Sequence, residues 1–397
     1  MTPSQPLDGI KVLDLGQIYN GPYCSLLLAH MGADVVKVEP PFGEPLRSRV
    51  ESGEPPEIVM LNSSKDAITL NLAEERGTEL LKDLVEETDV LVENYAVGTM
   101  EKLGIDYETL SSVNPELIYA HGSGFGDTGP RSDMLAMDLV VQATGGVMDA
   151  TGFPDDTPVK TGIAPGDFLG GTHLAAGVLG ALFQRERTGE GQYVEASMYE
   201  SVFPALLSQL AAAYKETDVP PRTGNHHSSL AKAPYNAYET QDGYVTILCA
   251  SDDHWETLLE VMGRTDLIDD DRFETNVKRV DHMDEVDRVI GEWTADRDRQ
   301  AIEDRLVDAG VPAGAVQTIE EVLQDPHLSE RGMAPEVSHP DFEDGIRVFG
   351  SPIHFSDAPE PDVEPAPRKG EDTSDILKDR LGLSADAIVE LDEQGIL

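Results

Sequence analysis

The sequence is poor in basic residues. Its 29 Lys and Arg stand against 75 Asp and Glu, which gives a net charge of −46 over 397 residues. A nucleic-acid-binding surface needs clustered Lys and Arg to displace counterions from phosphates, so this balance argues against a nucleic-acid partner. An anionic membrane surface would also repel the chain. Hydrophobic residues still make up 40% of the sequence, so we expect a folded protein of about two domains.

Lysine is especially scarce, since only 11 of the 29 basic residues are Lys. Excess carboxylate with little lysine is typical of proteins that must stay hydrated in concentrated salt. There the Debye length falls to about 3 Å at 1 M, and repulsion between carboxylates is largely screened. The composition therefore predicts a salt-adapted protein, and an unusually acidic protein from a low-salt organism is the alternative.

Cysteine, targeting signals and long apolar runs are also scarce. Cys24 and Cys249 are too few for a disulfide framework or a cysteine metal cluster. The first residues carry neither a basic region nor an apolar run. No apolar stretch approaches the roughly 18 residues that span a bilayer. We expect a soluble, cytoplasmic protein that holds no metal.

Strand and helix patterns alternate through the first half of the chain. The predicted strands lie at 10–15, 34–38, 68–72, 90–92 and 117–121, and the predicted helices at 21–31, 75–86, 167–187 and about 196–215. This alternation predicts an α/β fold with a largely parallel sheet covered by helices.

A polar, turn-rich break at 220–225 precedes a second α/β pattern. Its predicted strand lies at 244–250 and its predicted helices at 255–262, 284–294 and 301–309. Short strands follow from about residue 337, and the proline- and acid-rich stretch 356–375 is too interrupted for a helix. We therefore predict a large domain at 1–218, a smaller α/β domain at 219–332 and a C-terminal segment at 333–397.

A glycine-dense loop at 122–129 follows the fifth predicted strand. A dinucleotide-binding loop must lead into a helix whose N-terminus faces the pyrophosphate, whereas this loop leads into Pro130. The first strand-to-helix turn, 16–21, also lacks the G-x-G-x-x-G pattern. The local pattern disfavours NAD binding and favours a structural loop.

Asp167 lies at the predicted start of a long, small-residue-rich helix. Its local pattern favours a structural N-cap, because Asp is a preferred residue there. The alternative is a nucleophilic carboxylate, whose ionised form a helix N-terminus would favour.

Five of the scarce cations lie in the predicted first domain, one at the end of a strand, two in the loop after it and one after the turn 62–64, and the carboxyl ends of parallel strands are where such sheets bind ligands. They are Lys37, Arg47, Arg49, Lys65 and Lys102. A polyphosphate ligand would need such residues, and surface cations paired with carboxylates are the alternative for each of them.

Many short motifs occur in a fixed order along nearly the whole chain. They include 7–15, 21–22, 32–41, 62–65, 92–95, 114–119, 123–126, Asp138, Asp167, 187–192, 310–314 and 331–333. The ordered set resembles the family III CoA-transferases, a group that includes formyl-CoA:oxalate and carnitine CoA-transferases and α-methylacyl-CoA racemase. The resemblance implies a Rossmann-like large domain built from both chain ends, a smaller α/β domain and an interlocked homodimer. With the acidic composition, it suggests a halophilic archaeal source.

The resemblance also implies a chemistry. Asp167 would form a mixed anhydride with the acyl group of an acyl-CoA and then an aspartyl-CoA thioester. Coenzyme A is a substrate, a small carboxylic acid is the acceptor, and no tightly bound cofactor is needed. The residues implied to contact CoA are Lys102, Asn94, Tyr95, Val38, Glu39, Lys37, Arg47 and Lys65. Those implied to contact the substrate are Tyr19, Gln17 and Met137.

One position separates the two activities of this family. Met137 stands immediately before Asp138, where the racemases carry a His base, and methionine cannot carry a proton. A second racemase base would fall near Asp252. We therefore expect a CoA-transferase, with α-methylacyl-CoA racemase as the alternative.

The acceptor is expected to be a small dicarboxylate. Residues 250–253 replace the glycine-rich lid of formyl-CoA transferase, and Tyr19 stands where that enzyme has Gln, which argues against the formate/oxalate pair. A dicarboxylate such as mesaconate with succinyl-CoA as donor is expected, and CoA transfer between two carboxyls of one dicarboxylate is the alternative.

Overall fold

The computed structural model describes residues 4–214 and 219–397. Its strands are β1 (Lys11–Asp14), β2 (Asp34–Glu39), β3 (Asp66–Thr69), β4 (Val90–Glu93), β5 (Ile118–Ser123), β6 (Gln192–Ser197), β7 (Tyr235–Glu239), β8 (Tyr244–Leu248), β9 (Ala313–Ala315), β10 (Glu336–His339) and β11 (Phe342–Arg347).

The α-helices of the described residues follow the same order. They are α1 (Asn20–His30), α2 (Pro56–Asn62), α3 (Glu75–Val85), α4 (Thr99–Leu103), α5 (Tyr107–Val113), α6 (Asp138–Thr144), α7 (Val147–Ala150), α8 (Pro165–Thr188), α9 (Met198–Val202), α10 (Leu207–Tyr214), α11 (Asp252–Met262), α12 (Asn276–Asp281), α13 (Met283–Thr294), α14 (Arg299–Asp308), α15 (Ile319–Leu323), α16 (Pro326–Glu330), α17 (Thr373–Leu381) and α18 (Ala385–Glu393). None of them is long and apolar enough to cross a membrane.

The chain divides into two compact units. The first holds the described residues up to 145, with 162–204 and 323–397, and the second holds those of 146–161 and 205–322. These limits differ from the predicted domain limits at 218 and 332. The chain leaves the first unit inside a helical run, before the turn-rich stretch 220–225, and 146–161 belongs to the second unit.

The first unit contains a six-stranded parallel sheet with the strand order β3-β2-β1-β4-β5-β6. In register, Leu13 of β1 lies opposite Val36 of β2 and Leu91 of β4. Because helices cover both faces, the central strands are almost continuously apolar. The predicted α/β fold with a parallel sheet is confirmed. The order reverses between β1 and β4, the switch point at which such sheets bind ligands.

Helices α1 and α8 cover one face of this sheet. Leu27 and Leu28 of α1 and Leu174 and Val178 of α8 pack with Val90 of β4 in one buried cluster. Burying a side chain of this kind contributes about 1.5–3 kcal/mol relative to leaving it exposed. This packing fixes the position of α8, and with it the position of Asp167.

The opposite face carries α3 and α5 together with the C-terminal helices α17 and α18. Leu80, Leu110, Ile376 and Leu391 share one buried cluster with the sheet. The Asp372 carboxylate, just before α17, accepts a hydrogen bond of 2.9 Å from the backbone of β3. The end of the chain is therefore part of the same unit as its beginning.

The second unit is built around a three-stranded antiparallel sheet with the order β7-β8-β9. Trp255 and Leu258 of α11, Ile290 of α13 and Leu306 of α14 form its core with the sheet. This unit thus has its own hydrophobic core, as a separate domain requires.

The prediction of one helix over 196–215 is wrong in two places. Ala196 and Ser197 end β6, the edge strand that the sequence did not indicate, and Ser197 then caps α9. Pro204 lies in a short 3₁₀ turn, Phe203–Leu206, that separates α9 from α10, because proline cannot donate the hydrogen bond of a helix interior. Residue 215 lies outside the described residues.

Candidate active site

A cavity of about 440 Å³ lies at the carboxyl edge of the parallel sheet, around the switch point between β1 and β4. The loops that follow β1, β4 and β5 provide most of its lining. The lining residues are Gln17, Ile18, Asn20, Asn94, Tyr95, Ala96, Val97, Thr99, Lys102, Gly122, Ser123, Gly124, Phe125, Gly126, Ser132, Asp133, Met134, Leu135, Ala136, Met137, Asp167 and Met198. The structure thus brings five of the predicted site residues together: Gln17, Asn94, Tyr95, Lys102 and Met137 lie around Asp167.

Asp167 lies in the first turn of α8, only 8% exposed. The helix begins at Pro165, and Ala164 is the N-cap. The local interpretation of Asp167 as an N-cap is therefore wrong, because the helix starts earlier than the sequence pattern indicated. Pro165 is well suited to that start, since the missing N–H costs nothing at the first helical position.

The capping group of α8 comes from another helix. Asp138, at the start of α6, accepts a hydrogen bond of 2.7 Å from the Gly166 N–H through Oδ1. Its Oδ2 accepts a hydrogen bond of 2.6 Å from the Gln142 amide. Asp138 thereby holds a fixed negative charge close to Asp167.

This environment makes Asp167 a weak acid. Burial, followed by the negative charge of Asp138, raises the pKa of Asp167 to about 7. The sequence argument that a helix N-terminus favours the ionised form is thus outweighed at this residue. Near neutral pH Asp167 exists in both forms, and its carboxylate is poorly hydrated, which suits a nucleophile.

Asn20 holds the backbone of Asp167 and was not found by sequence reasoning. Its side-chain Nδ2 donates a hydrogen bond of 3.2 Å to the Asp167 carbonyl. A Cβ at Gly122 would lie 2.0 Å from Asn20 Oδ1, and a Cβ at Gly170 would lie 2.3 Å from Nδ2. Glycine at both positions therefore leaves room for the amide. The sequence signal for Asn20 was indirect: Gly122 near the end of β5 and Gly170 within α8 leave space that its amide fills.

Asn94 joins the two loops at the switch point. Its Oδ1 accepts a hydrogen bond of 2.7 Å from the Gln17 N–H, and its Nδ2 donates one of 2.9 Å to the Gln17 carbonyl. The amide of Asn94 is thereby engaged within the protein while the residue lines the cavity. Lys102 of α4 is exposed at the same cavity.

The structure does not bring Lys37 and Lys65 to the cavity. The Lys65 ammonium is fully buried, 2.9 Å from Asp14 Oδ2, and it also donates to Asn62 Oδ1 at 3.0 Å. The Lys37 ammonium, only 1% exposed, lies 3.6 Å from Glu44 Oε1. Both cations neutralise buried carboxylates beneath the site, a structural use of charge.

Arg47, Glu39 and Val38 also lie away from the cavity lining. Arg47 Nη2 is 2.6 Å from Glu39 Oε1, and Arg47 forms a second ion pair with Glu54. Val38 is buried in the sheet core. These contacts fix the loop after β2 to its strand.

Tyr19 lies beside the site but not in the lining. Its hydroxyl accepts a hydrogen bond of 2.7 Å from Arg49 Nη1, and its ring centroid lies 6.1 Å from that of Phe168. Met137, in contrast, lines the cavity at the N-cap of α6 with its side chain exposed. Methionine at this position places no proton-carrying side chain immediately before Asp138.

The glycine-dense loop interpreted as purely structural lines the cavity. Residues 122–126 form one wall, and a Cβ at Gly124 would lie 2.2 Å from the Cβ of Ala136. Glycine therefore permits the close approach of residues 132–137, which form the next part of the wall. A high glycine content at the carboxyl end of a parallel strand was the signal that pointed to this loop.

Comparison with known proteins decides the family. The model of CoA-transferase family III matches residues 7–373. The chain belongs to CoA-transferase family III. It is 41% identical over 363 residues to the succinyl-CoA:mesaconate CoA-transferase of Haloarcula hispanica, covering 88% of this chain and 90% of that protein.

Two further relatives of this CoA-transferase cover almost the full length. The succinyl-CoA–D-citramalate CoA-transferase of Chloroflexus aurantiacus is 37% identical, with 100% of this chain and 99% of the relative covered. A crystal structure of a CAIB/BAIF family protein from Brucella suis is 34% identical, with a TM-score of 0.84, and covers 95% of this chain and 100% of that one. The expected enzyme class, a CoA-transferase, is confirmed.

Proposed function

We propose that this CoA-transferase moves CoA from an acyl-CoA, with succinyl-CoA as donor, to a small dicarboxylate such as mesaconate. The observation that supports this most directly is the buried Asp167 carboxylate on the cavity wall, with a pKa raised to about 7. The succinyl-CoA:mesaconate and succinyl-CoA–D-citramalate relatives support the choice of donor and acceptor class.

The first half of the proposed reaction loads CoA onto Asp167. A carboxylate oxygen of Asp167 attacks the thioester carbonyl, the C–S bond breaks, and a mixed anhydride and the CoA thiolate form. The thiolate then attacks the Asp167 acyl carbon. The C–O bond of the anhydride breaks, the donor acid leaves as a carboxylate, and Asp167 carries CoA as a thioester.

The second half reverses these steps with the acceptor acid. The acceptor carboxylate attacks the Asp167 thioester, releasing the CoA thiolate and forming a new anhydride. The thiolate attacks the acceptor acyl carbon, and Asp167 leaves as a carboxylate. No proton is consumed over the cycle, and the anhydrides survive only where water is kept away, which fits a buried Asp167.

The residues around Asp167 have defined tasks in this proposal. Asn20 fixes the Asp167 main chain, and Asp138 fixes the helix start and keeps the carboxyl weakly acidic. Lys102 provides positive charge at the cavity for a phosphate group of CoA. Asn94 and Tyr95 form the wall along which the CoA arm lies.

We further propose the interlocked homodimer and the salt-adapted setting that the resemblance and composition imply. Large apolar side chains are exposed on several helices of the described residues, among them Phe183 of α8 and Leu207 of α10. A partner subunit that covers them would explain why a highly charged chain retains them.

A matrix of acyl-CoA donors and free acids, assayed in molar KCl by mass spectrometry, tests the proposed function. We expect transfer from succinyl-CoA to mesaconate or a close dicarboxylate, without exchange of α-protons with deuterated water. Exchange of α-protons with no requirement for a free acid would instead show a racemase. A CoA ester that moves between the two carboxyls of one acid, without a second acid, would show intramolecular transfer.

A further inference from the structure

A group of polar side chains, three of them buried, lies behind the cavity wall and has no role in the reaction steps above. It comprises Glu93 at the end of β4, Tyr119 and His121 on β5, Asp127, and Tyr193 on β6, and is named the His121 cluster here. Glu93 is 3% exposed and His121 is 4% exposed. Burying an ionisable group costs free energy unless it is paired or hydrogen-bonded, so the contacts of each of these side chains matter.

Two members of the His121 cluster hold the main chain of Tyr95. Glu93 Oε2 accepts a hydrogen bond of 2.8 Å from the Tyr95 N–H, and His121 Nε2 lies 3.1 Å from the Tyr95 carbonyl oxygen. Tyr95 and the two residues after it, Ala96 and Val97, line the cavity. His121 itself is not part of that lining.

The imidazole has carboxylates on both sides. His121 Nδ1 lies 2.9 Å from Asp127 Oδ1 and 3.0 Å from the Tyr193 hydroxyl, and Nε2 lies 3.7 Å from Glu93 Oε1. Burial opposes the charged imidazolium, but the hydrogen bond to Asp127 and the charge of Glu93 outweigh it and raise the pKa of His121 to about 9. The Tyr95 carbonyl oxygen can only accept a hydrogen bond, so His121 Nε2 carries a proton and donates to it.

A second cavity of about 480 Å³ lies on the other side of this wall. Ala96 and Val97 line both cavities, and His121, Glu93 and Tyr193 line only the second. The wall is therefore a single loop with open space behind it. Without the contacts of His121 to Tyr95, the loop could move into that space.

We propose that His121, with Glu93, is a positioning residue for acyl-CoA: it fixes the Tyr95–Val97 wall of the cavity from behind. The inference rests on the proposed function, because it places acyl-CoA against that wall. A wall that is already ordered lowers the entropic cost of binding. Loss of His121 therefore weakens acyl-CoA binding and leaves the chemistry at Asp167 in place.

His121→Phe removes the donor and keeps a ring of similar size. The hydrogen bond to Tyr95 lies within the protein, so its loss weakens acyl-CoA binding through the lost ordering of the wall, by up to about tenfold if the whole contribution of one such bond is lost. We expect the KM for acyl-CoA to rise by up to about tenfold, with kcat and the KM for the acid within about twofold of the wild-type values. His121→Gln, which can still donate an N–H, should recover most of the acyl-CoA affinity.

The controls separate positioning from stability. His339 of β10 is equally buried, 4% exposed, and does not line either cavity. His339→Phe should lower the melting temperature without changing the KM for acyl-CoA. Lys102→Ala, which removes a cation from the cavity, should raise that KM and serves as the positive control.

A second variant tests the His121 cluster if His121→Phe does not fold. If His121→Phe is insoluble, Tyr193→Phe removes the hydroxyl next to Nδ1 and should raise the acyl-CoA KM by about threefold. An unchanged KM in both variants, or equal losses in kcat and in both KM values, overturns the inference. Calorimetric titration with free CoA compares the CoA affinity of the wild type and the variants without turnover. If the wild type shows no transfer but the His121 variants still bind CoA more weakly, only the proposed function is contradicted.

Discussion

At the scale of single residues, the site depends on one carboxylate and on what surrounds it. Asp167 is buried, lies near the Asp138 charge and has its main chain held by Asn20. Burial and a like charge both disfavour the ionised form, and together they exceed the favourable effect of the helix N-terminus. The result is a carboxyl that titrates near neutral pH.

The pH dependence of the reaction follows from that titration. Because the proposed mechanism uses the Asp167 carboxylate as the attacking form, kcat/KM for acyl-CoA should rise as the pH passes through about 7 and then level off. Asp138→Asn removes the neighbouring negative charge but keeps an oxygen that can accept from the Gly166 N–H. Its pH–rate midpoint should therefore move to lower pH.

Asp133→Asn is the matched control for this shift. Asp133 also lines the cavity, but it is not among the groups that raise the pKa of Asp167. Its pH–rate midpoint should equal that of the wild type. A flat profile in the wild type, or a midpoint that rises in Asp138→Asn, would show that Asp167 is not the titrating group.

The sequence could identify Asp167 only through the ordered resemblance. Local pattern favoured a structural cap, because it could not reveal that Asp138, 28 residues before Gly166, takes over the capping of α8. For the same reason Asn20 was missed, since its contact with Asp167 spans 147 residues. For Lys37 and Lys65 the sequence suggested a ligand contact where the structure has an internal ion pair. Their positions in the sequence could not reveal that each ammonium pairs with a buried carboxylate.

At the scale of elements, the fit of α8 against α1 determines where Asp167 lies. Gly171 of α8 faces the main chain of α1, and a Cβ there would lie 2.6 Å from the Asn20 carbonyl oxygen. A backbone atom inside a helix cannot move away cheaply. Gly180, further along α8, has no atom within 4 Å of its would-be Cβ.

Two alanine substitutions on α8 test this fit. Gly171→Ala should destabilise the protein by about 1–3 kcal/mol through overpacking and should lower kcat by displacing the start of α8. Gly180→Ala should be neutral, or stabilising by up to about 1 kcal/mol, through helix propensity alone. Thermal unfolding and transfer assays in molar KCl measure both. Equal effects of the two substitutions would show that the α1–α8 contact is looser than described.

Five of the six strands of the parallel sheet, and the helices α1, α3 and α8, could be predicted from hydrophobic periodicity, and the structure moves most of their ends by one to three residues. The shorter helices α2, α4, α5, α6 and α7 were not predicted. The edge strand β6 was missed because its residues are only half buried and carry no continuous apolar run. Pro204 marked the break between α9 and α10, but the apolar spacing on either side concealed it.

At the scale of the whole molecule, a net charge of −46 coexists with a proposed ligand that is itself polyanionic. The structure reconciles the two by its use of cations. Lys37, Lys65 and Arg47 pair with buried or half-buried carboxylates, whereas Lys102 remains exposed at the cavity. We therefore expect the net charge to reflect the proposed salt adaptation of the surface, and the local charge at the cavity to indicate the proposed ligand.

The central claim is that Asp167 carries the acyl group and then CoA during transfer. The most direct test incubates the enzyme with succinyl-CoA and hydroxylamine in molar KCl and then analyses its peptides by mass spectrometry. We expect a hydroxamate at residue 167, formed only when acyl-CoA is present, and neither modification nor transfer in Asp167→Ala. Continued transfer by Asp167→Ala, or a hydroxamate at another residue, would contradict the claim.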